Sequence, residues 1–145
     1  KRKEITTEGG LNLKRNLKKI KKIVNSLKKH KIRISLFINP SISDIKLAKL
    51  INSDCVEIHT GKYCNLLNNK LNEKFEFIKL KKAAHYAHKV GLEVHAGHGL
   101  NFFSAYKISR IRNISELNIG HFIISESIFS SLPKTIKKLK RIINK

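Results

Sequence analysis

Residues 92–100, LEVHAGHGL, lead from a short apolar run into a histidine set between two glycines, and their reading decides the fold. LEVHA (92–96) reads as a strand, and Gly91 stands just before it, where a helix C-terminal cap belongs. Upstream, residues 75–90 carry Phe77, Leu80, Ala84 and Ala87 along one side of a helix, and residues 103–112 read as another. A strand held between two helices is the unit of a parallel sheet, because parallel neighbours need a long crossover connection.

The same alternation extends in both directions. EITT (4–7) reads as a short extended segment ended by Gly9-Gly10, and Leu13, Leu17, Ile20, Val24 and Leu27 then form one apolar helical stripe. IRISLFI (32–38) is β-branched and apolar and stops at Asn39-Pro40, which cannot continue a ladder. A short helix follows, with Ser43 or Asp44 as its cap and Ile45, Ala48 and Ile51 as its inner face. CVEIHT (55–60) is the next strand, halted at Gly61 and followed by a polar, Asn-rich connection. ELNI (116–119) is a strand broken at Gly120; FIISESIF and residues 134–145 are helical, with Pro133 at a first-turn position. About five strand-then-helix units result, with no linker between them, so residues 1–145 are expected to form a single domain.

Four strand ends, TTEGG, EIHTG, AGHG and NIGH, place glycine and polar residues where strand gives way to loop. Ligands of parallel α/β folds bind at such carboxyl ends, and four of them favour a ring of loops. The expected fold is therefore α/β, a (β/α)8 TIM barrel. A full barrel takes eight units and about 250 residues, so this chain is expected to hold only the last five. Its lack of Met, even at position 1, agrees with a sequence that is not a complete translation product.

A hydrophobic content of 41% suits a globular domain, and neither a membrane span nor a signal peptide is visible. Cys55 and Cys64 match no zinc spacing and read as reduced thiols of a cytoplasmic protein. The formal charge of +21 raises an alternative, a basic nucleic-acid-binding protein. No acidic residue occurs from Gly9 to Ser43, while Lys14, Arg15, Lys18, Lys19, Lys21 and Lys22 accumulate. The excess is nearly all Lys, however, with 7% aromatics and no Trp. Base-edge readers add Arg and single-strand binders add stacking rings. A solvated basic face is the simpler reading.

Five stretches, TTEGGLNL (6–13), SLFINP (35–40), EIHTGKY (57–63), AGHGLNF (96–102) and ELNIGHFII (116–124), give the chain a specific resemblance to the pyridoxine 5′-phosphate synthase family. The resemblance runs from about residue 1 to the C-terminus and implies a TIM barrel of vitamin B6 biosynthesis. It implies condensation of 1-deoxy-D-xylulose 5-phosphate with 3-amino-2-oxopropyl phosphate to give pyridoxine 5′-phosphate, phosphate and water. It further implies no metal, no organic cofactor, and assembly as a homo-octamer. The chain would be the C-terminal portion of such an enzyme, without the units that carry a second catalytic histidine, a general-base glutamate and a phosphate-gripping arginine.

By this resemblance His98 is the proton donor, a task suited to imidazole, which ordinarily titrates near pH 6.5. Gly97 and Gly99 would let the backbone turn sharply, and the Gly99 amide could approach an anion closely. Gly120 and His121 would bind the aminoketone phosphate at a helix N-terminus, and Thr7 would contact the deoxyxylulose phosphate. Glu57 would stabilise cationic intermediates, with His59, two residues on, as the partner a buried carboxylate needs. A metal site is not expected: His95 and His98 straddle a strand-to-turn junction, and His85 with His88 on a helix would still need a third ligand. Asn39 and Ser104 depart from the family pattern, which has Asp and Asn there, and His95 replaces an Asn.

Overall fold

The computed structural model describes residues 9–144. The expected segment at residues 4–7 lies outside them. Helix α1 (Leu13–Lys29) begins at Asn12, whose side chain accepts from the Arg15 amide at 3.0 Å. Its stripe faces inward: Leu13 and Val24 are buried, and Leu17, Ile20 and Leu27 pack against the core. The lysines cover the opposite, solvated side.

Strand β1 (Ser35–Ile38) leads to α2 (Ile42–Leu50), and β2 (Cys55–His59) leads to α3 (Gly61–Asn68) and α4 (Lys74–Lys89). Strand β3 (Glu93–Gly97) leads to α5 (Phe102–Ser109), and β4 (Glu116–Asn118) leads to α6 (His121–Ser130) and α7 (Leu132–Ile143). Two boundaries differ from expectation. Helix α2 is capped by Ser41, whose Oγ accepts from the Asp44 amide at 3.4 Å, rather than by Ser43 or Asp44. The polar stretch after Gly61 contains α3, because Gly61 opens a helix that buries Tyr63 and Cys64 instead of ending the chain's order.

The four strands among the described residues are parallel and their spatial order is their sequence order, β1-β2-β3-β4. No reversal of strand order, the mark of a doubly wound sheet, occurs among the described residues. Alternate residues divide the sheet. Leu36, Ile38, Val56, Ile58, Val94 and Ala96 enter one core with Ile45, Ala48, Leu80, Ala84, Ala87 and Ile108 of the helices. The other parity presents Phe37, Glu57, His59, His95, Gly97 and Asn118. One apolar, helix-covered face and one polar face fit an arc of a barrel. Asp54 ties the lower edge together: it accepts from the Ile34 amide at 2.7 Å and pairs with Lys28 of α1.

Candidate active site

The carboxyl ends of the strands open on a cavity of about 910 Å³. Glu57 reaches it from β2, His98 and Gly99 from the turn after β3, and Gly120 and His121 from the turn after β4. These expected site residues, 41 positions apart from Glu57 to His98 and more to His121, thus meet in one space. Thr7 lies outside the described residues.

The turn after β3 is unusual. His98 has φ +78° and Gly99 φ +77°, both left-handed. For a residue with a Cβ that conformation costs about 1–2 kcal/mol, so the surroundings must hold His98 there. The expectation that Gly97 supplies the turn is corrected: Gly97 is the last residue of β3. Its lack of a side chain is needed because a Cβ would stand 2.1 Å from Glu57 Oε1 and 3.0 Å from the Asn118 carbonyl oxygen. Gly99 combines its left-handed φ with a close approach to α3, where a Cβ would lie 3.2 Å from that of Cys64.

The His98 ring stacks on His59, with centroids 4.8 Å apart and planes 20° apart, and Phe37 meets His59 edge-on at 5.2 Å. His59 was the expected partner of Glu57. Its ring lies against that of His98. Glu57 is half-buried with its carboxylate over Gly97. Below the turn, burial pushes the Cys64 thiol up, while the neighbouring Ser104 and Thr60 hydroxyls pull it the other way.

Helix α6 begins at Gly120 with no side-chain cap, so its first-turn amides are left by the helix for another acceptor. A Cβ on Gly120 would meet nothing within 4 Å, so the approach to these amides is open. His121 is exposed at the same helix start. An uncapped helix N-terminus beside an imidazole can receive a phosphate.

Sequence reasoning missed Asn101 as a site residue. It lines the cavity, caps α5, and donates from Nδ2 to Asn68 Oδ1 at 3.0 Å. Its partner in a capping box is Ser104: the Ser104 amide donates to Asn101 Oδ1 at 2.9 Å, and Ser104 Oγ accepts from the Asn101 amide at 2.8 Å. The departure at Ser104 is therefore accommodated, and the Asn101-to-Ser104 spacing was the signal. Asn39 is exposed, its carbonyl accepting from the Ser41 amide at 2.7 Å. His95 turns into the polar face, buried, with Nε2 2.9 Å from Glu93 Oε1 and Nδ1 3.7 Å from Glu116 Oε1. His85 and His88 are exposed on α4.

Known proteins share this chain's sequence throughout. A family model described as pyridoxal phosphate biosynthesis protein PdxJ matches residues 1–145. A pyridoxine 5′-phosphate synthase of Pelagibacter ubique is 53% identical over 145 residues, covering 100% of this chain and 61% of the relative. Synthases of the same name from Prochlorococcus marinus strain AS9601 and from Zymomonas mobilis are 43% and 42% identical, over 99% of the chain and 59% and 56% of the relatives. The chain thus spans about three fifths of the length of these curated relatives, matching a C-terminal portion of them.

Proposed function

Because the chain belongs to the pyridoxal phosphate biosynthesis protein PdxJ family, we propose that it contributes half of a pyridoxine 5′-phosphate synthase active site at the mouth of a (β/α)8 barrel. The observation that carries this reading is the convergence of Glu57, His98, Gly99, Gly120 and His121 on one cavity at the carboxyl ends of parallel strands. The substrates are 1-deoxy-D-xylulose 5-phosphate and 3-amino-2-oxopropyl phosphate, both dianionic in their phosphates. A formal charge of +21 favours their encounter with the chain without requiring a nucleic-acid partner.

Each residue has a task in the ring-closing condensation. The α6 amides, Gly120 and His121 hold the aminoketone phosphate, and the Gly99 amide approaches it closely. His98 donates a proton to a departing oxygen, phosphate or hydroxide, so that the leaving group does not depart as a bare anion. Glu57 stabilises positive charge that develops on the imine nitrogen formed between amine and ketone. Thr7 contacts the sugar phosphate. Assembly as a homo-octamer and a cytoplasmic location belong to the same proposal. No helix among the described residues is long and apolar enough to cross a membrane.

The test is His98→Ala in a full-length context. Product formation is abolished while both phosphorylated substrates still bind; retained turnover overturns the assignment. Binding of DNA at micromolar concentration that survives physiological salt would favour the basic nucleic-acid reading instead.

A further inference from the structure

We propose that Thr60 is a positioning residue for His98: its hydroxyl clamps the left-handed turn that aims the imidazole into the cavity. Thr60 is fully buried at the end of β2, and nothing in the role expected of EIHTG used it. Its Oγ1 lies 2.7 Å from the Gly97 carbonyl oxygen and 2.6 Å from that of His98, so one hydroxyl proton is shared between two successive carbonyls. The Thr60 amide adds a third tie, donating to the Gly97 oxygen at 2.9 Å.

Thr60 occupies the N-cap of α3, where a threonine hydroxyl ordinarily accepts from the helix's own first-turn amides. Here it makes no such bond. The helix forgoes its cap, and the hydroxyl acts instead as a donor to the neighbouring strand's turn. Those carbonyls flank the His98 peptide, which sits at φ +78° against its intrinsic preference. A buried carbonyl that lost its donor would turn to find another, and the His98 ring would move with the peptide. Clamping of this kind matters most for a proton donor, because small misplacements of a catalytic group cost far more rate than affinity.

The inference rests on His98 acting as the proton donor, and its test separates the two claims. Thr60→Val keeps the shape and removes the hydroxyl; Thr60→Ser keeps the hydroxyl and removes the methyl. In a full-length context Thr60→Val lowers kcat by about 10- to 100-fold with KM within about 2-fold, in line with the rate cost of roughly 1 Å of misplacement, and Thr60→Ser restores most of it. In the same context the His98 imidazole resonances move in Thr60→Val and return in Thr60→Ser, while the His121 resonances stay in place. If His98→Ala abolishes turnover but Thr60→Val changes neither kcat nor the His98 resonances, the clamp is refuted and the proton-donor reading stands. If His98→Ala retains turnover, the reading beneath it fails. Should Thr60→Val not fold, Thr60→Cys carries the same comparison, since a thiol is a weak donor of similar size.

Discussion

Gly97→Ala tests whether the close packing of Glu57 over β3 is real. A Cβ at this position stands 2.1 Å from Glu57 Oε1, 3.0 Å from the Asn118 carbonyl oxygen and 3.1 Å from the Asn118 Cβ. The first contact is with the end of a flexible side chain, which can swing away. The others lie across the β3–β4 register, where Gly97 faces Asn118, and relieving them moves one strand against another. Forced overpacking of this kind costs about 1–3 kcal/mol, which lowers Tm by roughly 2–12 °C for a chain of this size. Gly120→Ala is the matched control, because its Cβ meets no atom within 4 Å. It should cost at most about 1 kcal/mol, the usual handicap of alanine at an N-cap. Its defect should appear in binding: a methyl group over the open α6 amides weakens inorganic phosphate by about tenfold, the worth of one charge-assisted hydrogen bond. Circular dichroism melts and phosphate titration by calorimetry read both quantities. A Gly97→Ala chain melting within a degree of wild type, or a Gly120→Ala chain binding phosphate unchanged, would refute the reasoning.

Other expectations follow from the charged and buried groups. Asp54 is held below the usual carboxylate range by the Lys28 ammonium and then by the Ile34 amide; its contribution is complete above about pH 4 and fades as pH falls through the lowered folded value, so Asp54→Asn should flatten the acid limb of Tm against pH. Tyr63 is pushed up to about 12 by burial; because the folded value exceeds the ordinary value of about 10, stability erodes as pH rises from there toward 12, and one phenolate per chain should appear last in an ultraviolet titration. Cys64 is buried beneath the His98 turn with its thiol pushed up, so Ellman's reagent should label it only when the chain unfolds.

Most of the architecture was legible because it rests on periodicity. The Leu13-to-Leu27 stripe, the β-branched strands and the glycine at residue 91 each report a local preference that the packing does not overrule. The misreadings occur where one residue serves two elements. Gly61 looks like a stop, yet it opens α3, and its missing side chain makes room for the His59 and His98 rings, each 2.7 Å from where a Cβ would stand. The left-handed turn falls at His98 and Gly99 rather than at Gly97, where Glu57 of β2 and Thr60 just after it, 37 or more residues earlier in sequence, lie against the end of β3. Likewise the two candidate caps of α2 lost to Ser41, whose extended backbone and Oγ, accepting from the Asp44 amide, fit the N-cap position. Glu93 and His95, two residues apart, share one face of β3, but the sequence does not say which side of the sheet that face is. The register with Glu57 and Glu116 decides it.

That register also explains how one sheet can be both a stable core and a reactive surface. On the helix side the strands offer Val56, Ile58, Val94 and Ala96, whose burial stabilises the fold irrespective of what the other side carries. On the polar side the residues near the amino ends satisfy one another. Glu93 pairs with Arg33 and His95, and His95 also nears Glu116. His95 is the first cause, and Arg33 the second, of the Glu93 carboxyl's being held below its usual range. Toward the carboxyl ends the pattern changes: Glu57 lies over a glycine and α6 starts without a side-chain cap. Groups whose needs are met by neighbours make structure. Groups with hydrogen-bonding capacity directed into a cavity, as the first-turn amides of α6 are, can be met by a substrate.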